Sequence, residues 1–323
     1  MYKIYDNWPE LARKAYESKF DVIKFDGIKQ IIFAGMGGSG TIGDILSSLL
    51  SSTNIHVDIV KGYRLPKTIS KNTLIVTTSV SGNTAETISI LEDSIQKKMQ
   101  IIAFASGGQM IRLCKKRKIP HVIIPQNLNP RSSLVTYLYS MLKVLEPLIP
   151  ISKEEINNSI EKLNELKKII CSENLKSNNL SLELAKTLSN ISLVYFPYGL
   201  NAAAIRFKNS LQENSKMHTI AEDVIEACHN GIVAWEKHTE EIIPVLIQGH
   251  DDNIHTKKHW QILKEFFKSK DIKYIEIKSL EGNILTKIIN LIYLLDYATI
   301  YRAAINGVDP YLVDPIEFIK KRV

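Results

Sequence analysis

Short β-branched, apolar runs alternate along the first half of the chain with stretches in which apolar positions recur every three to four residues. The runs at 30–34, 56–60, 73–78, 100–104 and 121–125 read as strands. The stretches at 41–50, 84–98, 111–118 and 132–145 read as helices. Strand and helix in strict alternation lay down a parallel sheet, and one doubly wound domain accounts for all of it. Pro147 and Pro150 mark a helix stop, and the polar, charge-rich segment 152–179 reads as exposed helix crossing between domains. The same grammar then restarts, with strands at 191–195, 241–247 and 272–277 and helices at 201–214, 220–228 and 256–268. A long apolar helix ends at Gly307, followed by Asp309-Pro310, and a short helix over 315–321 closes the chain. The pattern predicts an α/β protein with two doubly wound parallel-sheet domains in tandem, divided as 1–150 and 151–323.

Composition narrows this picture. With 323 residues, 45% of them hydrophobic and 23% charged, the chain has enough apolar material for a core in each domain. The most apolar stretch, 284–305, is interrupted by Lys287, Asn290, Asp296 and Arg302, which suits a helix packed inside a soluble protein better than one in a bilayer. The amino terminus has no apolar signal region or cleavage site, so a cytoplasmic protein without membrane contact is expected. Forty-one Lys and Arg against 34 Asp and Glu give a net charge of +7, compatible with a small anionic ligand but short of the concentrated basic face that nucleic acid requires. Cys114, Cys171 and Cys228 stand far apart, and no Cys or His spacing suggests a metal site or a disulfide framework. No cofactor is expected.

Two loops carry candidate chemistry. Gly35-Met36-Gly37-Gly38-Ser39-Gly40 joins the first strand to its helix, where bare backbone amides at a helix start hold anions. The run also satisfies the GxGxxG dinucleotide spacing, but the tip of the second strand is Val60-Lys61-Gly62 where an acidic residue would be needed, and Asp58 lies in mid-strand. Thr41 and Ile42 stand where a Walker A loop would carry Lys and Ser/Thr. A tight turn that needs glycine explains the run equally well. The second loop, Thr77-Thr78-Ser79-Val80-Ser81-Gly82-Asn83-Thr84, again opens a helix. A simple N-cap needs one hydroxyl, whereas this loop offers Ser79, Ser81 and Thr84, a set suited to a phosphate dianion.

Gly37-Gly38-Ser39-Gly40 together with Ser79-Val80-Ser81-Gly82-Asn83-Thr84 resembles the sugar isomerase (SIS) domain, a flavodoxin-like fold that binds phosphosugars. Pro130-Arg131-Ser132-Ser133-Leu134, Gln212-Glu213-Asn214-Ser215-Lys216 and His229-Asn230-Gly231-Ile232 resemble, in order, segments of the bifunctional phosphoglucose/phosphomannose isomerase family. The resemblance implies an aldose-ketose isomerase acting on glucose 6-phosphate, and on mannose 6-phosphate, without a metal. It places phosphate binding on Gly37, Gly38, Ser39, Ser79, Ser81 and Thr84. It makes Glu213 the base that moves a proton between C2 and C1, Arg131 the cation facing the enediolate, and His229, helped by Lys320, the ring-opening group. It further implies a homodimer in which His229 serves the partner's site.

Each of these residues also has a plainer explanation: a solvated helix-end glutamate, an arginine in a salt bridge, a structural histidine, and a lysine complementing a helix dipole. Glu222 and Asp223 are weaker candidates for the base. The chain departs from the family pattern at Gly231, where a glutamate is usual, and in 309–313, which lacks a threonine associated with acceptance of the C2 epimer. Mannose 6-phosphate is therefore the less secure substrate. Two other readings stay open: another SIS activity such as an amino-sugar phosphate isomerase, and a non-catalytic phosphosugar-binding regulator.

Overall fold

The computed structural model describes residues 1–21, 23–188, 190–237 and 241–322. The chain runs through α1 (Tyr2–Asp6), α2 (Trp8–Glu17), β1 (Gln30–Ala34), α3 (Gly37–Leu50), β2 (His56–Val60), β3 (Thr73–Ser79), α4 (Ala85–Gln96), β4 (Gln100–Ala105), α5 (Gly108–Arg117), β5 (His121–Ile123) and α6 (Leu134–Val144). It continues with α7 (Lys153–Ile170), α8 (Leu180–Thr187), β6 (Ile191–Phe196), α9 (Asn201–Ser215), β7 (His218–Asp223), α10 (Val224–Ala227), β8 (Ile242–Gln248), α11 (Ile254–Ser269), β9 (Ile275–Lys278), α12 (Ile284–Ile305) and α13 (Asp314–Lys320). Two compact units result, one of Asn7–Ile160 and the other of Met1–Asp6 with Glu161–Val323, so the chain passes from one to the other within α7.

In the unit of Asn7–Ile160 the sheet order is β2-β1-β3-β4-β5, with every pairing parallel. The apolar runs Gln30–Ala34 and Thr73–Ser79 are buried throughout, as inner strands covered on both faces must be. Asp58 belongs to this framework: Gln30 Nε2 donates to it at 2.7 Å, and Thr73 Oγ1 donates to Gln30 Oε1 at 2.6 Å. Strand order reverses between β1 and β3, and the crevice outside the carboxyl ends of such a pair is where open α/β sheets bind ligands. The 35–40 and 79–84 loops emerge at that point.

The other unit repeats the order one strand short, as β7-β6-β8-β9, again parallel. Strand β7 corrects the helix expected over 220–228. Asp223 accepts from the amides of Ile225 and Glu226, and this cap starts a helix only at Val224. The apolar spacing of Ile220, Val224 and Ala227 imitates a helix, but the chain changes period at the cap. The segment expected as exposed helix is amphipathic instead, since Ile156, Ile160, Leu163, Leu166 and Ile170 of α7 are buried. Ahead of β1, where no element was expected, Trp8, Ala12, Ala15 and Tyr16 of α2 are buried and the helix packs on α6.

α12 is long and apolar enough to cross a membrane, but it is a core helix, buried over most of its surface and packed on α9 and α8. Its charge is accounted for. Arg206 Nη2 lies 2.8 Å from Asp296 Oδ2 with both side chains buried, and Ser210 Oγ and Tyr5 OH donate to the same carboxylate at 2.6 and 3.1 Å. Burial opposes the charge on Arg206, yet Asp296, Tyr5 and Glu213 hold its pKa above the ordinary arginine value.

Candidate functional site

The glycine loop is built by close packing as much as by any ligand. A Cβ on Gly35 would lie 2.9 Å from the Thr78 carbonyl oxygen, and one on Gly40 2.9 Å from that of Gly35, so each glycine lets backbone approach backbone. Gly37 has φ +52° with open space where a Cβ would project, and Gly38 follows it into the first turn of α3. Met36 caps this helix without a side-chain bond, so the leading amides point out of the turn. Ser39 is buried in the same turn.

The hydroxyl loop is rigid and its three hydroxyls are unequal. Ser79 is buried, its Oγ 2.9 Å from Thr84 Oγ1 and accepting from the Gly82 amide at 3.1 Å. Ser81 is exposed, and Thr84, the N-cap of α4, is half-buried. Gly82 has φ +67°, and a Cβ there would meet the Gly107 carbonyl oxygen at 1.9 Å, which admits only glycine. Asn83 Oδ1 accepts from the Gln109 amide at 2.9 Å, and Ser106 donates its amide and its hydroxyl to the Val80 carbonyl at 3.1 and 2.7 Å. The start of α5 therefore clamps the loop from behind and leaves the Ser81 side presented.

Arg131 is buried in the 3-10 turn Arg131–Ser133 ahead of α6. Asn129 Oδ1 accepts from the Ser132 amide at 2.9 Å, Ser132 and Ser133 hydroxyls return to the Asn129 carbonyl at 3.0 and 2.9 Å, and Ser133 Oγ accepts from the Asn127 amide at 2.9 Å. The two serines after Arg131 thus fix the turn on which it stands. Arg131 stands out in the sequence, whereas Asn127 and Asn129, which brace its turn through Ser132 and Ser133, do not; their signal was the short side-chain amides just before a Pro-initiated turn.

Glu213 is half-buried in the last turn of α9. Its neighbours anchor that turn: Asn214 Nδ2 donates to Thr299 Oγ1 at 2.8 Å, Ser215 Oγ to the Thr299 carbonyl at 2.8 Å, and Lys216, left-handed at φ 59°, donates Nζ to the carbonyls of Glu213 and Leu312 at 2.6 and 2.7 Å. Asn214 and Ser215 therefore hold the helix end onto α12, and Glu213 is the carboxylate presented from it.

His229 is exposed just past α10, its amide bonded to the Glu226 carbonyl at 2.9 Å. Asn230 Nδ2 donates to Glu226 Oε1 at 2.6 Å, and a Cβ at Gly231 would lie 2.6 Å from Glu222 Oε2. The Glu222 carboxylate thus lies against the space beside Gly231, and as the end of a flexible side chain it would swing aside for a larger residue there. Burial first, then Glu226 and Asp223, push the Glu222 pKa up. The unit does not bring Glu213 and His229 together. α9 returns from the carboxyl edge of the sheet to the amino edge, and β7 carries the chain back through six residues, roughly 20 Å at the rise of a strand.

Lys320 ends α13, a helix with no buried residue, and its Nζ lies 3.2 Å from Glu317 Oε1 with both side chains exposed. The loop after β8, the counterpart of the hydroxyl loop in the second sheet, has a different character. Asp252 accepts from the Gly249 amide at 3.0 Å and from Trp260 Nε1 at 2.9 Å, and Asp251 pairs with Lys287. Carboxylates fill it where the first sheet offers hydroxyls.

Comparison with known proteins finds a domain match in each half of the chain. Residues 24–135 match the SIS domain, and residues 177–323 match the bacterial phospho-glucose isomerase C-terminal SIS domain. The bifunctional phosphoglucose/phosphomannose isomerase of Caldicellulosiruptor bescii is 29% identical over 100% of this chain and 98% of that protein. The protein of the same name from Aquifex aeolicus is 29% identical over 91% of this chain and 90% of its own. Among solved structures, the C-terminal domain of glucosamine-fructose-6-phosphate aminotransferase from Francisella tularensis shares the fold, with a TM-score of 0.68 at 16% identity over 95% of this chain and 96% of that one. With SIS domains in both halves and likeness to these isomerases along its whole length, the chain belongs to the bifunctional phosphoglucose/phosphomannose isomerase family.

Proposed function

We propose that this phosphosugar isomerase interconverts glucose 6-phosphate, and also mannose 6-phosphate, with fructose 6-phosphate. The observation that carries the reading is the clamped 79–84 loop beside the open amino end of α3, at the point where strand order reverses. Amides of Gly37 and Gly38, with the hydroxyls of Ser39, Ser81 and Thr84, supply donors to a phosphate dianion at two helix starts. Ser79, whose hydroxyl already meets Thr84 and the Gly82 amide, positions that set.

His229, with Lys320 assisting, moves the proton between the C1 hydroxyl and the ring oxygen as the ring opens. The Glu213 carboxylate then takes the C2 proton of the open aldose and returns it to C1, and the hydroxyl proton passes from O2 to O1, so that the ketose forms with no net change in protons. Charge on the intermediate enediolate falls to the guanidinium of Arg131, which its turn holds rigid. The test is a coupled assay of the purified protein on both aldose 6-phosphates, with and without EDTA. The reading expects turnover that EDTA leaves intact and very poor use of unphosphorylated glucose. Binding of fructose 6-phosphate without any isomerisation would instead support a regulator.

A further inference from the structure

At the tip of β2, Lys61 occupies the place where a dinucleotide site would carry an acid, and neither the fold nor the proposed reaction gives it a part. Its Nζ lies 2.9 and 2.7 Å from the two carboxylate oxygens of Asp44. Its Cε lies 3.0 Å from where a Cβ on Gly40 would be. Gly40 and Asp44 are four residues apart in α3 and so share one face of the helix. The bare Gly40 makes room for the lysine stem, and Asp44, one turn further on, receives its charge. The carboxylate is only 8% exposed, whereas Lys61 is 42% exposed.

An acid so placed works against the loop above it. Asp44 is six residues beyond Gly38, about 9 Å along the helix at 1.5 Å per residue. That is close to a Debye length at physiological salt, and a buried charge is screened less than a surface one. Left uncompensated, it would repel a phosphate dianion at the amino end of α3 and cancel part of the field that end provides.

We infer that Lys61 is a positioning residue of the anion site: by clamping and neutralising Asp44 it keeps the 37–40 loop electropositive enough to hold a phosphorylated sugar. The inference rests on the proposed phosphate site and adds the charge balance beneath it. Asp44 in turn draws the lysine down along α3, so that Lys61 acts through Asp44 without touching the phosphate.

The experiment is a double-mutant cycle on the full-length protein, with Lys61→Gln, Asp44→Asn and the two combined, assayed at pH 8 because burial pushes the Asp44 pKa up against the pull of Lys61. The readouts are KM and kcat for fructose 6-phosphate and competitive inhibition by inorganic phosphate, with thermal unfolding run alongside. Lys61→Gln is expected to raise KM and the phosphate inhibition constant together by roughly tenfold while leaving kcat within about twofold. The double variant is expected to recover most of that loss, because the repelling charge has gone too. A Lys61→Gln protein that binds phosphate like wild type would overturn the inference, as would a double variant as weak as Lys61→Gln alone. Should Lys61→Gln fail to fold, the double variant, which leaves no buried charge, still decides: phosphate binding near the wild-type level supports neutralisation, and a tenfold loss means that Lys61 binds the anion itself. If the wild-type protein bound neither ligand, the phosphate site itself would fall, a result distinct from any of these.

Discussion

Ser79 and Ser81 lie two residues apart on one loop, and their hydroxyls have different tasks because one is buried and bonded and the other faces out. Ser81→Ala should raise KM for fructose 6-phosphate roughly tenfold with kcat little changed, since a hydrogen bond to a charged group is worth about 1.5–3 kcal/mol and the phosphate is held alike in ground and transition states. Steady-state kinetics check this, and a loss confined to kcat would contradict it. The hydroxyl pattern, Arg131 and Glu213 were all legible as residue types in motif order. The inequality of the three hydroxyls was not, because burial is a property of the folded loop. Nor was the neighbour of Gly231, a carboxylate nine positions earlier in the chain that folds against it.

At the scale of elements, period and caps revealed both sheets except for β7. That strand was hidden because it runs without a turn into α10, and only the Asp223 cap separates the two periods. The 284–305 helix was legible as a core helix from its four polar interruptions, but not the partner of Asp296. Arg206 lies 90 positions away, and no local pattern links them. Asp296→Ala should destabilise this unit by about 3–5 kcal/mol, because it strands a buried guanidinium in a site built for an ion pair. Thermal or denaturant unfolding measures it, and a loss below about 1 kcal/mol would mean that water reaches Arg206 more readily than its burial implies.

For the whole molecule, the repeated strand order was visible in the sequence as a repeated alternation, while the change from a hydroxyl loop in the first sheet to a carboxylate loop in the second shows only in the bonds of Asp251 and Asp252. The separation of Glu213 from His229 along β7 motivates a further expectation: we propose a symmetric homodimer in which His229 of one subunit serves the partner's Glu213. Mixing inactive Glu213→Gln with inactive His229→Ala protein should then restore activity, up to roughly a quarter of wild type when subunits reassort fully, since half the dimers carry one intact site. Differential tags verify the exchange. Verified heterodimers without activity would place the histidine in its own subunit's site.

Proton transfer by Glu213 is the step on which the account turns, and solvent deuterium reports on it directly. Wild-type protein incubated with glucose 6-phosphate in D2O should incorporate deuterium at C1 of the fructose 6-phosphate it forms, and at C2 of the glucose 6-phosphate re-formed by the reverse reaction. Glu213→Gln should still bind the phosphosugar while both exchange and turnover fall by roughly a hundredfold or more, because an amide cannot accept the proton. Exchange at a near wild-type rate in Glu213→Gln would contradict the account and move the base to another residue.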